Sequence, residues 1–139
     1  MIDVAILLGL VGSKNMIKEA YCSYEVAKLL EEKGFDEPCD NYYDQSSDEP
    51  QQLTLDEMYY SYDEFVKAPT HQMAMAWLRK KKIEIIVYPF SDTVTENIMY
   101  TVDICTPTLT RQQGHLRGVW KSYEEAVEAA LKYVLENLI

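Results

Sequence analysis

Three times the chain sets a hydroxyl, a phenol and a carboxylate in a row: Ser23-Tyr24-Glu25, Ser61-Tyr62-Asp63 and Ser122-Tyr123-Glu124. Two histidines, His71 and His115, and three cysteines, Cys22, Cys39 and Cys105, complete the set of potential nucleophiles, bases and metal ligands. Spacing decides what such residues can be. The histidines stand alone, without the one-turn pairing of a helical zinc site, and no two cysteines have finger spacing. No serine sits in a G-x-S-x-G elbow. The run GLVGSKN at residues 9–15 resembles a phosphate loop, but Leu7 stands where the first glycine belongs and Ser13 separates Gly12 from Lys14. Cys22 and Cys39 read as small apolar packing residues. His71 reads as a partly exposed helix-start residue rather than a base. The pattern supports no catalytic residue, no cofactor and no metal, and the balance tilts away from an enzyme.

The repeated serine word has a second chemistry, which is to begin helices. A serine oxygen accepts hydrogen bonds from first-turn amides, and an acid in that turn suits the positive end of the helix dipole. After Ser122, the residues Val127, Ala130, Leu131, Val134, Leu135 and Leu138 recur at helical spacing, and Glu125 completes a capping box. Glu124, Glu125, Glu128, Lys132 and Glu136 are expected largely on the opposite side. After Ser23, Val26, Leu29 and Leu30 form an apolar stripe; Gly34 marks the stop, and Phe35 folds back. A third helix is expected after Thr70, with Met73, Ala76 and Trp77 facing inward and Arg79 to Lys82 at its negative end. Thr54 with Glu57 and Ser61 with Glu64 match the same box, although Pro69 limits any helix after Ser61.

Strands lie between. The run KIEIIVYPF at residues 82–90 reads as a buried central strand, and NIMYTVDICT at 97–106 alternates, with Ile98, Tyr100, Val102 and Ile104 on one face. A polar hairpin loop joins the two. HLRGVW at 115–120 is expected as a further strand, CDNYYD at 39–44 as a short edge strand, and QSSDEPQQ at 45–52 as a loop. The fold class expected is α+β: an antiparallel sheet of three to four strands with about three helices, mostly on one face, in a single domain over residues 1–139.

Charge narrows function further. The net charge is −10, and residues 19–64 hold fourteen acids against two lysines, whereas residues 65–121 hold eight bases against four acids. The helix-strand-strand-strand-helix order of the second half is that of a double-stranded-RNA-binding domain, but the last helix begins with glutamates where that module carries lysines. Direct nucleic acid binding is therefore not expected. An odd cysteine count suits a reducing compartment, and the apolar stretch at residues 4–11 is too short to span a bilayer and lacks a basic lead-in. A cytoplasmic protein without a membrane association is expected.

One stretch invites a partner. Tyr42, Tyr43, Tyr59, Tyr60 and Tyr62 sit among the acids, and rigid rings beside carboxylates make good contact chemistry. Tyr59, Tyr60, Tyr62, Asp56, Glu57, Asp63 and Glu64 are the candidate contact residues, with a basic protein as the expected partner and a homodimer left open. The blocks AYCSYEVAKLLEEKGFDEPC, APTHQMAMAWLRKK and SYEEAVEAALKYVLENL, taken together, resemble a family of small uncharacterised proteins of anaerobic gut bacteria and their phages. The resemblance runs from about Met16 to the C-terminus and leaves residues 1–15 as an N-terminal extension. It implies a cytoplasmic protein of phage or mobile-element origin and brings no catalytic residue or cofactor. The function expected is that of a non-enzymatic acidic protein-interaction domain, in its sharpest form a mimic of nucleic acid. The alternative is a small-ligand-binding domain or unrecognised enzyme with a pocket near the turn from Ala68 to Gln72.

Overall fold

The computed structural model describes residues 17–44, 52–54, 64–108 and 116–139. Three helices and five strands follow in the order α1 (Tyr24–Glu32), β1 (Asn41–Asp44), β2 (Gln52–Thr54), β3 (Phe65–Lys67), α2 (His71–Lys80), β4 (Glu84–Asp92), β5 (Asn97–Cys105) and α3 (Tyr123–Asn137). The fold is α+β and its pairings are antiparallel, as the sequence suggests. The strands are shared between two sheets, β2-β1-β3 and β4-β5.

Each helix starts where a hydroxyl predicts. Ser23 Oγ accepts from the Val26 amide at 3.2 Å, Thr70 Oγ1 from Met73 at 3.1 Å, and Ser122 Oγ from Glu125 at 3.1 Å. Each such cap contributes about 1 kcal/mol. Two of the three copies of the repeated word are thus punctuation. The third is not followed by a helix, because Phe65–Lys67 pairs with β1 as a strand. Thr54 likewise ends β2 rather than opening a helix within the described residues. Helix α1 stops at Gly34, whose φ of +91° suits a residue without a Cβ, and the Phe35 amide closes back onto the Leu30 carbonyl at 2.9 Å.

The main core gathers the inner stripes of the three helices on one face of β4-β5. Val127, Ala130, Leu131, Val134 and Leu135 of α3 are all fully buried. They cover the register pair Ile85–Ile104 and its neighbour Val87–Val102. Phe35 packs edge-on to Trp77 with ring centroids 5.6 Å apart. The inward stripe of α2 is Ala74, Met75, Trp77 and Leu78; Met73 and Ala76, expected inside, are only partly covered. The opposite face of α1 meets the small sheet through Ala27, Val66, Ala68 and Tyr43.

The strands depart from expectation in three ways. The segment at residues 82–90 is not central among the described residues: there β4 pairs with β5 alone, and its second half, including Phe90, projects from the core together with Ile98. Of HLRGVW, residues 116–120 are described and contribute one bridge, in which the Trp120 amide donates to the Tyr100 carbonyl at 2.8 Å and the Tyr100 amide to the Trp120 carbonyl at 2.9 Å. β1 is the centre of its sheet, not an edge, because β2 and β3 flank it. The readings made for residues 1–15, 45–51 and 55–63 lie outside the described residues.

Candidate functional site

The chain crosses itself at one point that sets the site. The Cys22 amide donates to the Pro69 carbonyl and the His71 amide to the Ala20 carbonyl, both at 2.9 Å, so residues 20–22 run antiparallel to residues 69–71. Each segment then enters a helix, and the N-termini of α1 and α2 stand side by side. Helix α3 brings Glu128 between them. Its Oε2 lies 2.7 Å from His71 Nε2, and its two oxygens accept from the Ser23 amide at 3.1 and 3.3 Å.

The electrostatics follow from that arrangement. Partial burial disfavours the charged form of Glu128, but hydrogen bonds from His71 and Ser23 more than offset it, so the carboxyl is held below its ordinary range. The positive ends of two helix dipoles act in the same direction. An ionised Glu128 accepts from Nε2–H, which fixes that tautomer of His71. Cys22 completes the cluster: its sulfur, a His71 ring nitrogen and a Glu128 oxygen all lie within 4.8 Å of one another. Burial pushes the Cys22 thiol far up, and the Glu128 charge and then Cys39 add to it. A thiol so placed is no ready nucleophile. Tyr43 fixes the segment from below, donating from its hydroxyl to the Cys22 carbonyl at 2.6 Å, while Gln52 donates to that hydroxyl at 3.2 Å. Burial raises the Tyr43 phenol, partly offset by Gln52.

Two cavities flank this knot. One, of about 430 Å³, has a floor of Cys39, Ala68 and Thr70, a wall of Tyr21, Met73 and Ala76, and a charged rim of Glu19, Asp40 and Arg79 beside Gln72. The other, of about 240 Å³, is lined by His71, Gln72, Tyr123, Glu124 and residues 17–20.

No family model, curated protein or solved structure matches this chain.

Several expectations change here. His71 does open a helix, but it is 4% exposed rather than partly exposed. Glu128, expected on the outer side of α3, is turned inward. It follows Val127 and lies one turn before Leu131, at the border of the apolar face, where a long side chain reaches either way. Cys22 and Cys39 are buried as small core residues, as expected. Of the candidate contact residues, Glu64 is exposed, and Tyr59, Tyr60, Tyr62, Asp56, Glu57 and Asp63 lie outside the described residues. Tyr43 is a core residue and not a contact ring. The basic run at the end of α2 is partly engaged within the molecule: Lys80 pairs with Glu37 at 2.7 Å and Lys81 lies 4.5 Å over the Trp77 ring. The one signal that could have found the cluster was the coincidence of a cysteine before one cap and a histidine after another; nothing local marks Glu128 as their partner.

Proposed function

We propose that this chain is a small-ligand-binding domain whose site is the 430 Å³ cavity beside the turn from Ala68 to Gln72. The cavity is the observation that carries the reading. Its volume lies in the range of small-molecule sites, about 300–1,000 Å³. Its floor of Cys39, Ala68 and Thr70 is buried, and its exposed rim carries Arg79 together with Glu19 and Asp40. Among the described residues none of these three forms an ion pair. A small zwitterion of amino-acid type answers that lining, with its ammonium toward Glu19 and Asp40, its carboxylate toward Arg79 and an apolar side chain against Met73 and Ala76. Isothermal calorimetry of the full chain with amino acids and dipeptides, against matched neutral and singly charged analogues, tests it. Zwitterions should bind, and Arg79→Ala should weaken them at least tenfold. Equal binding by the variant, or no binding by any member, would remove the proposal.

A second reading, protein contact, is favoured by the projecting end of β4-β5. Val94 is 89% exposed, Ile98 59% and Phe90 41%. Apolar side chains exposed near one hairpin end, Phe90 and Ile98 on its opposite faces, offer contact surface, and the acidic net charge suits a basic partner. Asp56, Glu57, Tyr59, Tyr60, Tyr62, Asp63 and Glu64 are the contact residues that this reading proposes from their composition of rings and acids. The proposed kinship with proteins of gut bacteria and their phages has no activity to lend to either reading.

A further inference from the structure

We propose that Cys22, His71 and Glu128 form a binding site for a divalent transition-metal ion of the zinc class. The inference is independent of the ligand cavity. Soft thiolate, borderline imidazole and hard carboxylate are together a zinc donor set, and three protein ligands with a fourth position left to water is the usual pattern of an open zinc site. In a tetrahedral centre the three donor atoms stand about 3–4 Å apart. Here they already fall within 4.8 Å of one another, the closest pair being 2.7 Å. Small side-chain shifts suffice, because the three backbones are already fixed: the Cys22 and His71 amides donate to the Pro69 and Ala20 carbonyls across one antiparallel bridge, Thr70 caps the start of α2, and Glu128 sits in the middle of α3.

The charge balance is favourable. On binding, the Cys22 thiol releases its proton to water and becomes a thiolate. His71 keeps one proton, now on Nδ1, and offers the Nε2 lone pair to the metal in place of the hydrogen bond to Glu128. Thiolate and carboxylate then neutralise the dication, so that a site holding one partly buried carboxylate charge becomes a neutral centre. Glu128 keeps its bond from the Ser23 amide on the oxygen not used by the metal. The ion reaches the cluster from the side of the 240 Å³ cavity that His71 lines.

The test uses the full chain, freed of metal by chelator and dialysed. Titration with zinc should reach one equivalent, with affinity rising with pH as a proton is released and with a higher melting temperature in the zinc-loaded protein. Cobalt(II) should give the thiolate-to-metal charge-transfer band and the intense visible bands of a four-coordinate centre. The chain has three cysteines, so the variant Cys39→Ala/Cys105→Ala leaves Cys22 as the sole thiolate source. That variant should keep the charge-transfer band, and Glu128→Gln should weaken cobalt at least tenfold while circular dichroism remains native. Less than a tenth of an equivalent of zinc at saturation, a cobalt spectrum without a thiolate band, or a band lost from Cys39→Ala/Cys105→Ala would each overturn the proposal.

Discussion

His71 Nε2 and Glu128 Oε2 meet at 2.7 Å across 57 residues of chain, and through that contact α3 holds the starts of α1 and α2 together. The carboxylate satisfies an imidazole donor and a backbone amide that would otherwise be buried without an acceptor.

Glu128→Gln should therefore cost about 1.5–3 kcal/mol at neutral pH, the range for hydrogen bonds to a charged group. The folded carboxyl lies below its ordinary value of 4.5, so its contribution is present above that value and is lost as pH falls through the lower folded one. Urea midpoints measured with chelator present should show a constant gap between wild type and variant down to about pH 5, closing below it. A gap independent of pH would show that the charge of Glu128 contributes nothing.

Ser122→Ala should lower stability by about 1 kcal/mol through loss of the bond to the Glu125 amide. An unchanged denaturant midpoint would contradict the capping role of that serine.

Lys82 closes α2 with φ at +64°, a left-handed conformation without the glycine that usually occupies it. Its amide still bonds the Arg79 carbonyl at 2.9 Å, so the backbone is held there by the helix end. Lys82→Gly should relieve up to about 1 kcal/mol of strain and raise the melting temperature by a few degrees. A lower melting temperature would show that the lysine side chain contributes more than its backbone costs.

Cys22 is 0% exposed and its thiol is pushed up, whereas Cys105 is partly open to solvent. In the native, metal-free protein a thiol reagent should modify Cys105 first, and Cys22 only on unfolding. Early labelling of Cys22 would mean that the crossing of residues 20–22 with 69–71 opens readily.

The helices were legible in the sequence because each carries its own signals. Ser23, Thr70 and Ser122 mark starts, Gly34 marks a stop, and the spacing of Val127, Ala130, Leu131, Val134 and Leu135 fixes the buried face of α3. Those are short-range facts of periodicity and capping. Of the small sheet, the strand at residues 39–44 was legible but its two partners were not, since β2 and β3 have three residues each and gain their identity only from pairing with β1. β4 looked central because Ile83, Ile85, Ile86 and Val87 are apolar in near succession, yet among the described residues it pairs only with β5 and its far half is exposed. The cavity near Ala68 could be placed from the turn, but its rim could not: Glu19, Asp40 and Arg79 come from three separate segments. Cys22, His71 and Glu128 meet only in the folded chain, and the outward reading of Glu128 failed because a border position on a helix can serve core or solvent.

The most direct test of the proposed ligand site is an amide-resolved NMR titration of the full chain with a panel of amino acids and dipeptides. The account predicts saturable shifts at Asp40, Thr70, Gln72, Met73 and Arg79, with the hairpin amides of Val94 and Ile98 unmoved. Saturation by no member of the panel, or shifts confined to that hairpin, would contradict it.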